Sequence, residues 1–239
     1  MVATEKMEDD QETTRLVLSI CHEAANWTGA IRLSAHLIDH EQTPVELASS
    51  ALDVGDLSAR IGSLLALVRP LLSGESAVAT GVFPEAVIAG LEAVLEDHGG
   101  RGVHLEVVPC ADLPEVAGSP QTVHQLIVTL AYYAIVQAAP DGTVVVRAEH
   151  RASEGTIAFT VEDSGAEEPE LLRVRNSILR GRELACAVAR RILSGLGGAL
   201  EVARRDGRTQ IAVIVPTLHP AWQIGVPDCD QAASNDDAS

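Results

Sequence analysis

Residues 14–46, TRLVLSICHEAANWTGAIRLSAHLIDHEQTPVE, decide how the chain begins to fold. Apolar residues recur along this stretch at steps of three and four, the spacing of one stripe on an α-helix. The stripe consists of Leu16, Ile20, Ala24, Trp27, Ile31 and Ile38. The pattern predicts a long amphipathic helix from about Thr14 to His40.

A second helix is predicted directly after the first. The run Thr43-Pro44-Val45-Glu46 is typical of a capping box with proline at the first helical position. The helix can continue to Pro70, where the ring removes a backbone donor and breaks the pattern. Because the connecting turn is short, the two helices must run antiparallel. Their exposed apolar face predicts a homodimeric four-helix bundle, with packing on the chain's own C-terminal part as the alternative.

Past Gly81 the pattern changes to mixed helices and strands. Helices are predicted at residues 84–99, 121–138 and 183–197, and strands at residues 103–109, 143–150, 156–163, 199–205 and 209–216. This order predicts an α/β sandwich, so the whole chain is expected to be α+β. The expected division is a flexible N-terminus (1–13), a helical hairpin (14–74), a sandwich (75–218) and a flexible acidic tail (219–239).

Composition excludes several classes of function. The net charge of −17 would repel nucleic acids and anionic lipid, and six aromatic residues are too few for base stacking. No apolar run approaches the roughly 20 residues that cross a bilayer, and the polar N-terminus is unlike a secretion signal, so a cytoplasmic location is expected. The cysteines are far apart and form no CxxC pair, which argues against a zinc site or disulfides: Cys21, Cys110, Cys186 and Cys229.

His22 is the candidate nucleophile. At about 100° per residue it lies well away from the apolar stripe and shares an outer face with Asn26 and Gly29. A neutral imidazole can attack phosphorus near pH 7. The adjacent Glu23 is a candidate to orient the ring or accept a proton. The simpler interpretation is a solvated surface histidine.

The run CHEAANWTGAIRLSAHLIDH (21–40) resembles the H-box of sensor histidine kinases. The matching residues are His22, Glu23, Ala30 and Ile31, and the match of Cys21, His22 and residues 29–31 is also close to the ChpT-type histidine phosphotransferases. The resemblance implies that His22 carries a phosphoryl group. It also implies that Asn26, four positions later, can orient a water for phosphatase activity. Trp27 stands where the family usually has a helix-bending proline.

Residues 83–218 resemble the Bergerat-type ATPase domain of histidine kinases. In that family one helix supplies an asparagine for Mg²⁺, an Asp-x-Gly-x-Gly turn reads adenine, and a Gly-x-Gly loop opens a helix beneath the phosphates. The corresponding positions here hold Thr129 and Tyr133 in place of asparagines, then Asp163, Gly165 and Glu167, and finally Gly181 and Glu183.

These replacements predict that the nucleotide site is degenerate. The phenol of Tyr133 cannot replace an amide oxygen on magnesium. Glu183 adds bulk and negative charge, and two like charges about 4 Å apart near a surface repel by on the order of 4 kcal/mol. Glu183 has a second interpretation: an acidic residue at the start of a helix interacts favourably with the helix dipole. The segment between Pro169 and Gly181 is too short for the family's ATP lid.

The resemblance therefore implies a phosphorelay component. The expected function is a histidine phosphotransferase that moves phosphoryl groups between response-regulator receiver domains through His22, with Glu23 and Asn26 in support. No cofactor is expected on the chain itself, since Mg²⁺ would come with the receiver. A hybrid histidine kinase is a further candidate partner. The alternatives are a divergent kinase that still binds ATP through Asp163 and Gly165, and a non-catalytic pseudo-kinase that binds or dephosphorylates a regulator.

Overall fold

The computed structural model describes residues 2–38, 43–73, 81–95, 102–139, 141–164 and 181–218. Helix α1 (Val2–Ile38) and helix α2 (Pro44–Ala66) form the predicted hairpin, followed by a short helix α3 (Val68–Ser73). The sandwich contains helices α4 (Pro84–Ala89), α5 (Leu91–Leu95), α6 (Pro120–Gln137) and α7 (Gly181–Gly195), with strands β1 (Gly81–Val82), β2 (His104–Val107), β3 (Val116–Ala117), β4 (Thr143–Arg151), β5 (Thr156–Asp163), β6 (Ala199–Arg205) and β7 (Arg208–Pro216).

Five strands form the main sheet, in the order β2-β4-β5-β7-β6. Strand β2 runs parallel to β4, and the remaining neighbours are antiparallel. The side chains that alternate toward the helices are buried: Val144, Val146, Ile157, Phe159, Val161, Ile211, Val213 and Val215. Burial of this face against α6 and α7 forms the core of the sandwich. The predicted α+β fold is confirmed.

The hairpin packs on the sandwich of the same chain. Leu16 and Ile20 of α1 and Leu64 of α2 belong to the same buried cluster as the side chains of α6 and α7. The structure thus contains the packing that the sequence left open as an alternative, in which the hairpin contacts the C-terminal part of its own chain.

The first helix begins earlier than the predicted start near Thr14. Helix α1 begins at Val2 and continues through residues 2–13. Arg191 of α7 donates hydrogen bonds to the hydroxyl of Thr13, at 3.2 Å, and to the carboxylate of Asp9. These contacts join residues about 180 positions apart in the chain, so no local pattern could reveal them.

Two predicted helix boundaries also differ. The second helix ends at Ala66 rather than at Pro70, and Pro70 lies in the first turn of α3, where its missing N–H has no helical partner to lose. The helix predicted over residues 84–99 is divided at Gly90, which caps the end of α4. The predicted acidic tail (219–239) lies outside the described residues, which end at residue 218. No helix in the described ranges combines the length and apolar character needed to cross a membrane.

Candidate functional site

His22 lies on the side of α1 that faces away from the sandwich. The residues of α1 that are buried against the sandwich include Leu16, Ile20 and Glu23, whereas Leu18 is exposed one turn before His22. The ring of His22 is itself partly exposed, and Asn26, one turn later, is exposed on the same side. A side chain added at Gly29 would meet no atom within 4 Å. The face around His22 is therefore open to an approaching partner.

Glu23 points into the interface between α1 and the sandwich. Glu23 is only 7% exposed. The backbone N–H of Gly181, the first residue of α7, donates a hydrogen bond to Glu23 Oε1 at 3.3 Å. The unpaired N–H groups and the helix dipole at such an N-terminus favour a negative charge. The structure thus brings Glu23 to α7, while the predicted support of His22 by this carboxylate stays a prediction.

Aromatic packing covers the α6 position that matches the family's metal-binding asparagine. The ring of Tyr133 contacts the ring of Trp27 on α1, with centroids 6.4 Å apart and planes tilted by 41°. One turn earlier on α6, the hydroxyl of Thr129 donates to the backbone oxygen of Ser63 on α2 at 3.3 Å. Both positions that would be asparagine in the resembled family therefore contact the hairpin.

The burial of Tyr133 changes the pKa of its phenol. Tyr133 is 3% exposed, and its hydroxyl has no hydrogen-bond partner among the described residues. Burial raises the pKa of the phenol strongly, and the nearby carboxylate of Glu23 raises it further, while the guanidinium of Arg60 lowers it. Tyr133 thus stays neutral at physiological pH and supplies no anionic ligand for a cation.

Asp163, which matches the adenine-reading aspartate, is engaged within the protein. It lies at the end of β5 and is 1% exposed. Nη2 of Arg182, the second residue of α7, lies 2.6 Å from Asp163 Oδ2. This distance is typical of a strong charge-assisted hydrogen bond. The carboxylate is held by a cation of the same chain.

The remaining predicted positions divide into two groups. Glu183 is exposed in the first turn of α7, where its charge is favourable for the helix dipole. Gly181 adopts φ +52, a left-handed conformation that favours glycine at the start of this helix. Gly165 and Glu167, with the short segment where the family has its lid, lie outside the described residues.

Sequence reasoning missed three residues of this site. Arg182 follows the loop glycine directly, and its partner Asp163 lies 19 positions earlier in the chain, so no local pattern connects the two. The sequence places Trp27 in the apolar stripe, where the resembled family has a helix-bending proline, but it does not predict the contact of Trp27 with Tyr133. Arg60 carries no local signal, because its proximity to Tyr133 depends on how the hairpin docks.

The helical hairpin and the sheet order are those of the fold found in histidine kinase cores. Solved structures with this fold include the histidine kinase AdeS of Acinetobacter baumannii, with a TM-score of 0.55 and 16% identity over 83% of this chain and 98% of that chain. The histidine kinase ThkA in complex with the response regulator TrrA has a TM-score of 0.56 and 16% identity, covering 90% of this chain and 66% of that chain. Full-length ShkA in complex with AMPPNP has a TM-score of 0.52 and 18% identity, covering 85% of this chain and 46% of that chain.

At these identities the likeness shows the fold alone. No family model matches the sequence, and no curated protein matches it.

Proposed function

We propose that this chain is a histidine phosphotransferase of a two-component phosphorelay, which moves phosphoryl groups between receiver domains through His22 without using ATP. The proposal rests on one observation: the groups that would bind a nucleotide in the resembled family contact other residues of this chain instead. Gly181 N–H binds Glu23, Asp163 binds Arg182, and Tyr133 packs on Trp27, while His22 faces outward. ATP would have to displace these contacts and then meet Glu183.

The nucleophile of the proposed reaction is the accessible imidazole of His22. The lone pair of neutral His22 forms an N–P bond as the P–O bond to the receiver's aspartate breaks, and the bonding electrons leave with the aspartate carboxylate. The reverse step returns the phosphoryl group to the aspartate of a second receiver. Mg²⁺ held by the receiver would neutralise charge on the transferring group. Asn26, exposed one turn from His22, is placed to orient a water that competes with transfer.

The proposed partner is a receiver domain. Support comes from the open face around His22 and from ThkA, a protein with the same fold, whose structure was solved with a response regulator. A hybrid histidine kinase that carries a receiver domain remains part of the proposal on the same grounds. We also retain the homodimer, because the hairpin and α3 present exposed large apolar side chains: Leu18, Leu33, Val45, Leu47, Leu65 and Leu72.

The function is tested by offering the chain two phosphoryl donors. A panel of receiver domains carrying radiolabelled aspartyl phosphate, with Mg²⁺, is expected to transfer label to the chain, and the label should be stable in alkali and labile in acid, as phosphohistidine is. In parallel, ATP labelled on the γ-phosphate is expected to give no label. Label from ATP would instead identify a divergent kinase. Binding of receivers without labelling would identify a non-catalytic pseudo-kinase.

A further inference from the structure

Four residues connect α1 to the former nucleotide site, and together they are defined here as the α1 anchor. They are Glu23 and Trp27 of α1, Tyr133 of α6 and Gly181 of α7. One end of the α1 anchor is the hydrogen bond from Gly181 N–H to Glu23, and the other is the ring contact of Trp27 with Tyr133. Glu23 and Trp27 are one helical turn apart, so both contacts act on the same side of α1.

The carboxylate of Glu23 lies at the N-terminus of α7, a position at which an external anion could bind. The start of a helix offers free N–H groups and a partial positive charge, and α7 begins with Gly181 in a left-handed conformation that turns the chain into the helix. In the family that the sequence resembles, the corresponding helix lies beneath the nucleotide phosphates. Here the donor is satisfied by the protein's own phosphotransfer helix.

The α1 anchor also determines the direction of His22. Consecutive residues of an α-helix point about 100° apart, so a helix held at Glu23 cannot turn without moving His22. The two ends of the α1 anchor restrain α1 against rotation over the turn that follows His22. The buried Tyr133, whose pKa is raised partly by the charge of Glu23, shows that the two contacts share one electrostatic environment.

We propose that Glu23 is a positioning residue, which orients His22 toward the receiver by accepting the Gly181 N–H rather than by acting on the imidazole. The inference rests on the proposed function, which it deepens. It assigns the degenerate sandwich a role in transfer, as the rigid body against which the phosphotransfer helix is aligned. If Glu23 has this role, Tyr133 should also affect transfer, although it is remote from His22 in sequence and lies on another helix.

Glutamine and alanine at position 23 separate this role from direct chemistry. A glutamine keeps an oxygen that can accept the Gly181 N–H but has no carboxylate to take a proton from imidazole. An alanine removes both capabilities. If Glu23 acts through Gly181, Glu23→Gln should retain most of the transfer rate. If Glu23 acts on His22 as a base, Glu23→Gln should be as slow as Glu23→Ala.

Transfer is measured with the receiver domain that labels the wild-type chain fastest. We expect Glu23→Ala to lower the rate at saturating receiver about tenfold, with Glu23→Gln within about threefold of wild type, because misalignment of a reacting group slows the step without weakening docking. The half-saturating receiver concentration should change by less than about twofold. Tyr133→Leu, which removes the other end of the α1 anchor, should slow transfer as Glu23→Ala does. Glu12→Ala, a change at an exposed site on the same helix, is the control.

An independent readout uses Trp27 itself. The chain has two tryptophans, so a Trp222→Phe background leaves Trp27 as the single emitter. Glu23→Ala should increase quenching of Trp27 by acrylamide, and Glu23→Gln should leave it near the wild-type value. This readout tests the α1 anchor even if no receiver labels the wild-type chain, a result that would count against the proposed function alone.

Three results with the variants of the α1 anchor would overturn the inference, and a fourth, given last, would reassign Glu23. They are equal slowing by Glu23→Gln and Glu23→Ala, a wild-type rate in Glu23→Ala or Tyr133→Leu, and unchanged quenching of Trp27 in Glu23→Ala. A raised half-saturating concentration with an unchanged maximal rate would place Glu23 in receiver docking and would also contradict it.

Discussion

Replacing His22 with alanine is expected to lower the rate of label transfer from a phosphorylated receiver by more than about a hundredfold. The imidazole is the proposed nucleophile, and alanine offers no lone pair to phosphorus. Folding should be little affected, since the side chain is partly exposed and lies away from the sandwich, so the free energy of unfolding should change by less than about 0.5 kcal/mol. The measurement is the initial rate of labelling at fixed receiver concentration, with denaturation curves recorded for the same preparations.

His36→Ala is the matched control for this substitution. His36 lies on the same helix, is exposed, and is on the same side of α1 as His22. Its removal should leave the rate of labelling within about twofold of wild type, since it takes no part in bond formation. Persistent labelling of His22→Ala at the wild-type rate would mean that another residue carries the phosphoryl group.

The second large effect concerns stability. Arg182→Ala is expected to lower the free energy of unfolding by about 3 to 5 kcal/mol, because it removes a guanidinium that forms a charge-assisted hydrogen bond with the buried Asp163 carboxylate. Guanidinium chloride denaturation followed by circular dichroism measures the change. Adding Asp163→Asn to Arg182→Ala should recover part of the loss, since the buried group is then neutral.

Arg208→Ala supplies the comparison for an exposed ion pair. Arg208 lies 2.9 Å from Glu162, the residue directly before Asp163, and its side chain is 61% exposed. Its loss should cost less than about 1 kcal/mol, because water and salt screen the interaction. Equal effects of Arg182→Ala and Arg208→Ala would show that Asp163 is solvated, as an aspartate free to read adenine would be.

Local patterns predicted most elements of the fold because each element has a distinct pattern of apolar residues. The alternating residues of β4 and the apolar runs of β5, β7 and α6 are visible without any tertiary information. What the patterns could not predict depends on long-range contacts. The helical conformation of residues 2–13 is one example, since Arg191 contacts Asp9 and Thr13 across most of the chain.

The candidate site shows the same division. His22 and Asn26 could be placed on one open face from helical spacing, and the tyrosine at position 133, where the resembled family has an asparagine, could be read from the sequence alone. The engagement of Glu23 could not, because a residue beside a histidine in sequence points about 100° away from it in a helix. Its partner, Gly181, is 158 positions later in the chain. Which partner it meets depends on how the hairpin packs against α7.

Titration of the full chain with ATP and Mg²⁺ in a calorimeter tests directly whether the proposed nucleotide site is closed by internal contacts. We expect no saturable heat up to about 1 mM nucleotide, since Glu23, Arg182 and Trp27 already contact the groups that would bind it. A saturable isotherm below that concentration, lost on replacing Asp163 with asparagine, would contradict it.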